Sequence, residues 1–116
     1  MKQIFAIAIG GALGALLRYW ISGFIYANIS RSFPWGTLAV NIIGSFFIGF
    51  LSIFFSDRFD VSNEWKNFWI IGLLGAFTTF SAFSLETINF IEQTQYVRAF
   101  TNIFANVVAC IGAAIL

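Results

Sequence analysis

A long stretch without any charged residue is the feature that most constrains this chain. Between Phe33 and Phe55, no Asp, Glu, Lys or Arg interrupts a run of mostly apolar residues. A helix of about 20 such residues crosses the hydrocarbon core of a bilayer. The whole chain is 59% hydrophobic and 9% charged, whereas soluble domains carry about 25% charged residues. The sequence therefore predicts an integral membrane protein.

Three further apolar windows have a similar length, so we predict an all-α membrane protein with four transmembrane helices. The expected spans cover residues 3–27, 33–56, 64–91 and 95–115, within one four-helix transmembrane domain of residues 1–116. The first window also resembles a signal peptide, because one Lys precedes a run of apolar and small residues. Three later spans favour a first helix that is retained.

The side chains available to this protein exclude most enzyme classes. The sequence contains no His, one cysteine (Cys110) and five scattered acidic residues. His-based acid–base catalysis, His or Cys metal sites and an intrachain disulfide are therefore excluded. We predict that the protein is not an enzyme. Six basic residues against five acidic ones give no indication of a nucleic acid partner.

The basic residues are balanced across the predicted membrane. Each side is expected to carry three of them: Lys2, Arg58 and Lys66 on the side of the termini, and Arg31, Arg98 and the nearby Arg18 on the other. An excess of Lys and Arg on one side normally sets the orientation of a membrane protein. Without such an excess, we predict dual topology and an antiparallel homodimer, which resembles the inverted repeats of many transporters.

Small residues recur at a spacing of four in the first span, which places them on one helix face. Ala6, Gly10 and Gly14 form a row that is typical of close helix packing in membranes. The row ends at Arg18. An arginine within a span either extends to the interface or faces protein or water, so Arg18 is also a candidate for an aqueous vestibule or a dimer contact.

Polar rows with the same spacing follow in two other spans. They comprise Thr37, Asn41 and Ser45 in the second span, and Asn102, Asn106 and Cys110 in the fourth. Such rows form either a hydrated track or hydrogen bonds between helices, which are worth about 0.6 kcal/mol each on average. The spacing alone does not choose between these alternatives.

The third span is polar and aromatic at its centre, where "GLLGAFTTFSAFS" occupies residues 72–84. Gly72, Gly75 and the β-branched pair Thr78–Thr79 weaken a helix, so we expect it to unwind between Gly72 and Thr79. Unwound backbone at membrane depth must be buried in protein or line water, and its carbonyls suit a hard cation. Phe80 and Phe83 either pack or offer the positive edges of their rings to a small anion.

The polar groups inside the spans favour an anion or a neutral solute over a metal cation. Glu86, near the end of the third span, is the one acid among them. A small dual-topology multidrug exchanger is an alternative, but it requires a carboxylate in its first span, where this chain has Arg18. A non-conducting membrane assembly subunit is another, but it would not explain the polar third span.

Three motifs give the chain a specific resemblance: "GGALGALLRY", "PWGTLAVNIIGSFFIGF" and "GLLGAFTTFSAFSLE". Along essentially its whole length, the chain resembles the Fluc (CrcB) fluoride channel family. The resemblance implies a passive, fluoride-selective channel of the bacterial inner membrane, which exports fluoride and lowers its cytoplasmic concentration. It also implies an antiparallel dual-topology homodimer with two pores, each lined by both chains.

The resemblance further implies roles for individual residues. The implied fluoride pore comprises Phe80 and Phe83 as anion-coordinating aromatics, Asn41 as the nearby amide, and Thr37, Ser81, Ser84 and Asn106. The backbone carbonyls of Gly75 and Thr78 would bind a structural Na⁺ that is not transported. Arg18 would help to form a vestibule, and Glu86 would lie near a pore end. Three positions depart from the usual family pattern of hydroxyl side chains, namely Ala82, Asn106 and Cys110.

Overall fold

The computed structural model describes residues 2–29, 33–55 and 63–115. These residues form α1 (Lys2–Asn28), α2 (Trp35–Ile53), α3 (Asn63–Lys66), a π-helical segment (Asn67–Leu74), α4 (Gly75–Phe77), α5 (Phe80–Glu92) and α6 (Tyr96–Ile115). No strand occurs in the described ranges. Two of the basic residues in the charge balance, Arg31 and Arg58, and the predicted end of the second span at residue 56 lie outside them.

Four helical stretches are long and apolar enough to cross a bilayer: Lys2–Asn28, Trp35–Ile53, Glu64–Glu92 and Tyr96–Ile115. The first, third and fourth of these begin and end within one residue of the expected spans 3–27, 64–91 and 95–115. The second begins at Trp35 instead of residue 33, and its expected end at residue 56 lies outside the described residues. The prediction of an all-α protein with four membrane-spanning helices is confirmed. The chain is a multi-pass membrane protein.

The interior is unusually polar and the outside is apolar. Large apolar side chains point outward along every span, such as Phe24, which is 70% exposed, and Phe100, which is 69% exposed. Among the described residues, seven hydrophobic side chains are buried, and six polar ones are buried with them: Thr37, Asn41, Thr79, Thr87, Asn102 and Asn106. Buried polar groups require hydrogen-bond partners, so the interior of this fold is organised by a polar network.

Glycines allow α1 to lie directly against the first half of the third span. A Cβ atom at Gly10 would collide with the backbone carbonyl of Phe68, and one at Gly14 with that of Leu73. From the other side, a Cβ at Gly72 would lie 3.1 Å from the Cα of Gly10. The predicted small-residue row of the first span is thus confirmed as a close-packing face.

A second set of close contacts places α2 between α6 and the third span. A Cβ at Gly49 would collide with the backbone carbonyl of Ala114 in α6, and one at Gly44 with the side chain of Thr78. The side of α2 that carries Asn41 therefore faces α6 and the segment that connects α4 to α5.

The third span changes its backbone conformation along its length. The π-helical segment leads into α4, which ends at Phe77, and α5 begins at Phe80. Between them, Thr78 (φ −82°, ψ 158°) and Thr79 (φ −147°, ψ 118°) have extended backbone. Gly72 and Gly75, which we expected to unwind with the threonines, remain helical. Extended backbone suits β-branched side chains, whereas Gly72 is required for contact with α1.

Candidate functional site

Asn41 of α2 holds the extended residue Thr79 at two points. The backbone N–H of Thr79 donates to Asn41 Oδ1 (2.8 Å), and Asn41 Nδ2 donates to the backbone carbonyl of Thr79 (3.2 Å). Thr79 is also the N-cap of α5, because its Oγ1 accepts from the N–H of Ala82 (3.1 Å). The extended segment is therefore fixed both from a neighbouring helix and from the helix that follows.

The contact at Asn41 continues as a chain of hydrogen bonds across three helices. Asn41 Nδ2 donates to Asn106 Oδ1 (3.1 Å), and Asn106 Nδ2 donates to Asn102 Oδ1 (3.0 Å). Asn102 Nδ2 then donates to Thr87 Oγ1 (3.0 Å), which donates to the backbone carbonyl of Phe83 (2.9 Å). We call the linked residues the polar relay: Thr79, Asn41, Asn106, Asn102 and Thr87.

A cavity of about 310 Å³ lies beside the polar relay and contains both candidate aromatic residues. We call it the phenylalanine cavity, and its lining comprises Asn41, Ser45, Thr78, Thr79, Phe80, Phe83, Asn106, Val107, Cys110 and Ile111. The rings of Phe80 and Phe83 are tilted by 58° with centroids 5.3 Å apart. Phe83 is 8% exposed, whereas Phe80 is 77% exposed in the isolated chain.

Two further cavities follow, one next to the phenylalanine cavity and the other next to that one. The arginine cavity, of about 340 Å³, is lined by Arg18, Tyr19, Ser22, Gly23, Tyr26, Thr37, Thr79 and Ala82. The glutamate cavity, of about 510 Å³, is lined by Tyr26, Pro34, Glu86, Asn89, Phe90, Gln93, Gln95 and Arg98. Thr79 lines both the phenylalanine and the arginine cavity, and Tyr26 lines both the arginine and the glutamate cavity.

The buried Thr37 links two of these cavities through a hydrogen bond. Its Oγ1 donates to Glu86 Oε2 (2.8 Å), while Thr37 itself lines the arginine cavity and Glu86 lines the glutamate cavity. The carboxylate and Arg18 thus face separate cavities.

The lining of the phenylalanine cavity favours a small anion over a cation. Among the residues that the structure describes, no carboxylate lines this cavity. Both amide hydrogens of Asn41 are engaged, one by Thr79 and one by Asn106, while the aromatic rings of Phe80 and Phe83 and the hydroxyl-bearing residues Ser45, Thr78 and Thr79 also line the cavity. Ring edges carry partial positive charge, and groups without a full charge bind an anion weakly enough for it to leave again.

The structure brings together only some of the residues that were predicted to form one pore. Phe80, Phe83, Asn41 and Asn106 line the phenylalanine cavity together, whereas Thr37 lines the arginine cavity.

The other predicted residues lie around this group. Ser81 is exposed, and its Oγ is 3.3 Å from Thr79 Oγ1. Ser84 is half-buried and lines none of the three cavities. Of the two residues predicted to bind Na⁺, Thr78 lines the phenylalanine cavity, and Gly75 is exposed at the start of α4.

Three residues of the polar relay were absent from the predicted site. Asn102 was recognised as part of a polar row, and its bond to Thr87 confirms the interpretation as hydrogen bonding between helices. Thr79 carried a usable signal, since a threonine just before a helix is a favoured N-cap. Thr87 lies four residues after Phe83 and therefore on the same helix face. That spacing was the sequence signal from which Thr87 could have been predicted as part of the site.

Comparison with known proteins identifies one family. The family model described as "CrcB-like protein, Camphor Resistance (CrcB)" matches residues 5–116. The chain is 46% identical over 114 residues to the fluoride-specific ion channel FluC of Magnetococcus marinus, an alignment that covers 98% of this chain and 93% of the relative. It is 47% identical over 111 residues to the protein of the same name from Methanococcus aeolicus, covering 96% and 88%.

A third relative is longer than this chain. The fluoride-specific ion channel FluC of Methylococcus capsulatus is 46% identical over 111 residues, which are 96% of this chain. The chain spans about half, 49%, of the length of that relative.

Proposed function

The chain belongs to the CrcB-like protein family, and from that membership we propose that it is a passive, fluoride-selective ion channel. The observation that carries this proposal is the phenylalanine cavity, where Phe80 and Phe83 lie beside Asn41 and none of the described lining residues is a carboxylate. Relatives that share 46–47% of its residues are named as fluoride-specific ion channels. The function assigned here is that of a channel and not of an enzyme.

The three cavities suggest a path for the anion. The guanidinium of Arg18 raises the local concentration of anions in the arginine cavity, because a charge with low-dielectric walls attracts counterions. Thr79 lines this cavity and the phenylalanine cavity, so an anion reaches the ring edges of Phe80 and Phe83 past its hydroxyl. These weak contacts replace the water shell of the ion without an opposing full charge that would trap it.

A second copy of the chain completes the pore in this proposal. Gly75, Phe80 and Ser81 are exposed in the isolated chain, and polar backbone next to extended residues cannot face lipid at membrane depth. A partner that covers this surface removes the conflict. Because the basic residues are balanced across the membrane, the partner is inserted in the opposite orientation, giving an antiparallel dual-topology homodimer. Each of its two pores is lined by both chains.

The carbonyls of Gly75 and Thr78 suit a structural Na⁺ near the dimer axis. In a continuous helix they would accept from the N–H groups of Thr79 and Ala82. Here the N–H of Thr79 donates to Asn41 Oδ1 instead, and that of Ala82 donates to Thr79 Oγ1. Both carbonyls thereby lose their helical donors and are available to a hard cation. The bound ion would supply a fixed positive charge that joins the two chains.

The proposed direction of flow is outward, across the inner membrane of the cell, and it follows the gradient. The described lining of the phenylalanine cavity contains no carboxylate that would couple the anion to protons. The test is cytoplasmic fluoride, measured after a fluoride challenge in bacteria that lack their own fluoride exporters. Cells with this protein should keep less fluoride than cells with an empty vector, and equal accumulation would contradict the proposal.

A further inference from the structure

We propose that Thr87 and Asn102, neither of which lines the phenylalanine cavity, are positioning residues that hold Asn41 and Thr79 in place for the anion. This inference rests on the proposed channel function and adds to it the residues that determine the geometry of the site. Three features of the polar relay support it: its chain of hydrogen bonds runs in one direction, both of its ends lie at the start of α5, and its members are buried.

The relay has one direction of donation, because both of its ends are backbone groups. The N–H of Thr79 can only donate, so Asn41 must present Oδ1 to it (2.8 Å). At the other end, the carbonyl of Phe83 can only accept, so the hydroxyl of Thr87 donates to it (2.9 Å). The single hydrogen of that hydroxyl is then used, and Thr87 accepts from Asn102 Nδ2.

The orientation of Asn106 is set from the side of Asn102. Asn106 Nδ2 donates to the backbone carbonyl of Asn102 (2.9 Å) and to its Oδ1 (3.0 Å). Oδ1 of Asn106 is therefore the atom that faces Asn41 Nδ2 (3.1 Å). If the Asn106 amide turned over, two NH₂ groups would face each other at Asn41, and the acceptors of Asn102 would lose their donor. Unpaired buried groups of this kind are strongly disfavoured.

The relay begins and ends at the start of the same helix. Thr79 precedes α5 and Phe83 lies in its first turns, so the relay brackets Phe80. Between its two ends, it passes through α2 and α6 by way of Asn41 and Asn102. It therefore ties the segment that carries both aromatic rings to the two helices that form the opposite wall of the phenylalanine cavity.

Burial makes the relay sensitive to the loss of one member. Asn102 is 0% exposed and Thr87 is 7% exposed, so water does not readily replace a missing hydroxyl or amide. In such low-dielectric surroundings, hydrogen bonds in a chain polarise one another, and a loss at one end weakens the others. Removal of the Thr87 hydroxyl should therefore loosen the contact between Asn41 and Thr79, two helices away along the relay.

Two substitutions at Thr87 separate positioning from packing, because the two roles predict opposite orders for the loss of fluoride efflux. Thr87→Val keeps the volume of the side chain and removes the hydroxyl, whereas Thr87→Ser keeps the hydroxyl and removes a methyl group. We expect Thr87→Val to lower fluoride efflux from liposomes at least tenfold and Thr87→Ser to change it less than twofold. The matched control is Thr101→Val, at an exposed residue of α6, which should conduct like the wild type. A larger loss in Thr87→Ser than in Thr87→Val would overturn the proposal.

A double variant separates the positioning role from a general loss of stability. In Thr87→Val with Asn102→Leu, the donor and the acceptor of their hydrogen bond disappear together, so no group of that pair is left unpaired. We expect this protein to unfold at a denaturant concentration closer to that of the wild type than Thr87→Val does, while its fluoride efflux stays at least tenfold reduced. Recovery of efflux together with stability would refute the positioning role.

Hydrogen exchange at the backbone amide of Thr79 tests the relay without any transport assay. Because this N–H donates to Asn41 Oδ1, it should exchange at least tenfold faster in Thr87→Val and at the wild-type rate in Thr87→Ser. Unchanged exchange in Thr87→Val would contradict the relay even if efflux falls. A wild-type protein without fluoride efflux would instead refute the channel function, and the exchange rates would still decide whether Thr87 positions Thr79.

Discussion

Replacement of Phe80 by Ile distinguishes an anion-coordinating ring from an ordinary packing residue. Full burial of a Phe side chain is worth about 1.5–3 kcal/mol. Phe80 is 77% exposed within its own chain, so its packing there contributes roughly a quarter of that, or about 0.4–0.7 kcal/mol. The lipid around the helices reduces this packing contribution further, because helix association in a bilayer lacks the hydrophobic driving force that water provides. Packing within the chain therefore predicts almost no effect.

Coordination of the anion predicts a large effect from the same substitution. Ile keeps an apolar side chain but removes the aromatic ring, with its positive edge, from the lining of the phenylalanine cavity. We expect Phe80→Ile to lower fluoride efflux at least tenfold, which corresponds to about 1.4 kcal/mol and exceeds what packing within the chain can account for. Phe83→Ile should be at least as severe, because Phe83 is 8% exposed and shares the cavity.

The assay for this prediction is fluoride efflux from liposomes, normalised to the amount of dimer that size-exclusion chromatography detects. Phe100→Ile is the matched control, since Phe100 is 69% exposed on α6 and lines none of the three cavities. The dimer should be intact in all three variants and the control should conduct normally. Normal efflux in Phe80→Ile would refute the reasoning. Equal losses in Phe80→Ile and Phe100→Ile would do the same.

Three further predictions follow from the packing, the cavity and the proposed cation. Gly14→Ala should destabilise the protein by about 1–3 kcal/mol in detergent unfolding, because its Cβ meets the carbonyl of Leu73. Gly23→Ala, with nothing within 4 Å of its Cβ, should be neutral or stabilising, and equal effects would contradict the packing described for α1. A charged methanethiosulfonate should react with Cys110, which lines the phenylalanine cavity, and thereby lower fluoride efflux, whereas the Cys110→Ala protein should be resistant. Inhibition that persists in Cys110→Ala would show that the reagent does not act at Cys110. Replacement of Na⁺ by N-methylglucamine should lower the fraction of dimer, and no change would count against the carbonyl site at Gly75 and Thr78.

Much of the architecture was accessible from the sequence because it depends on local properties. The absence of charge between Phe33 and Phe55 marks a span directly. The four-residue spacing of Gly10 and Gly14 identified the face on which α1 contacts the third span. In a bilayer the solvent imposes length and apolarity on each helix separately, so these features do not depend on knowing the neighbours of a helix.

The site itself was only partly accessible, because it depends on contacts between helices. Local helix propensity predicted unwinding at Gly72 and Gly75 as well as at the two threonines. In this segment the extended backbone occurs only at Thr78 and Thr79. What distinguishes Thr79 is Asn41, which lies on another helix and supplies partners for its N–H and carbonyl. Propensity within one segment contains no information about such a partner.

Contacts between helices also explain why the predicted pore residues do not all line one cavity. Spacing placed Thr37 and Asn41 on one face of α2, but in the structure Thr37 is hydrogen-bonded to Glu86 and Asn41 to Asn106. Ser84, which resembled a pore residue by its place in the motif, lines none of the three cavities. Thr87 contributes to the relay only because Asn102 of α6 lies within 3.0 Å of its hydroxyl.

The central claim is that this protein conducts fluoride and discriminates against chloride. The most direct test uses purified protein in liposomes loaded with both anions, with valinomycin to balance charge by potassium efflux and one ion-selective electrode for each anion. The account predicts rapid fluoride efflux that requires the protein, while chloride stays at the rate of protein-free liposomes. Equal efflux of the two anions, or no fluoride efflux above that of protein-free liposomes, would contradict it.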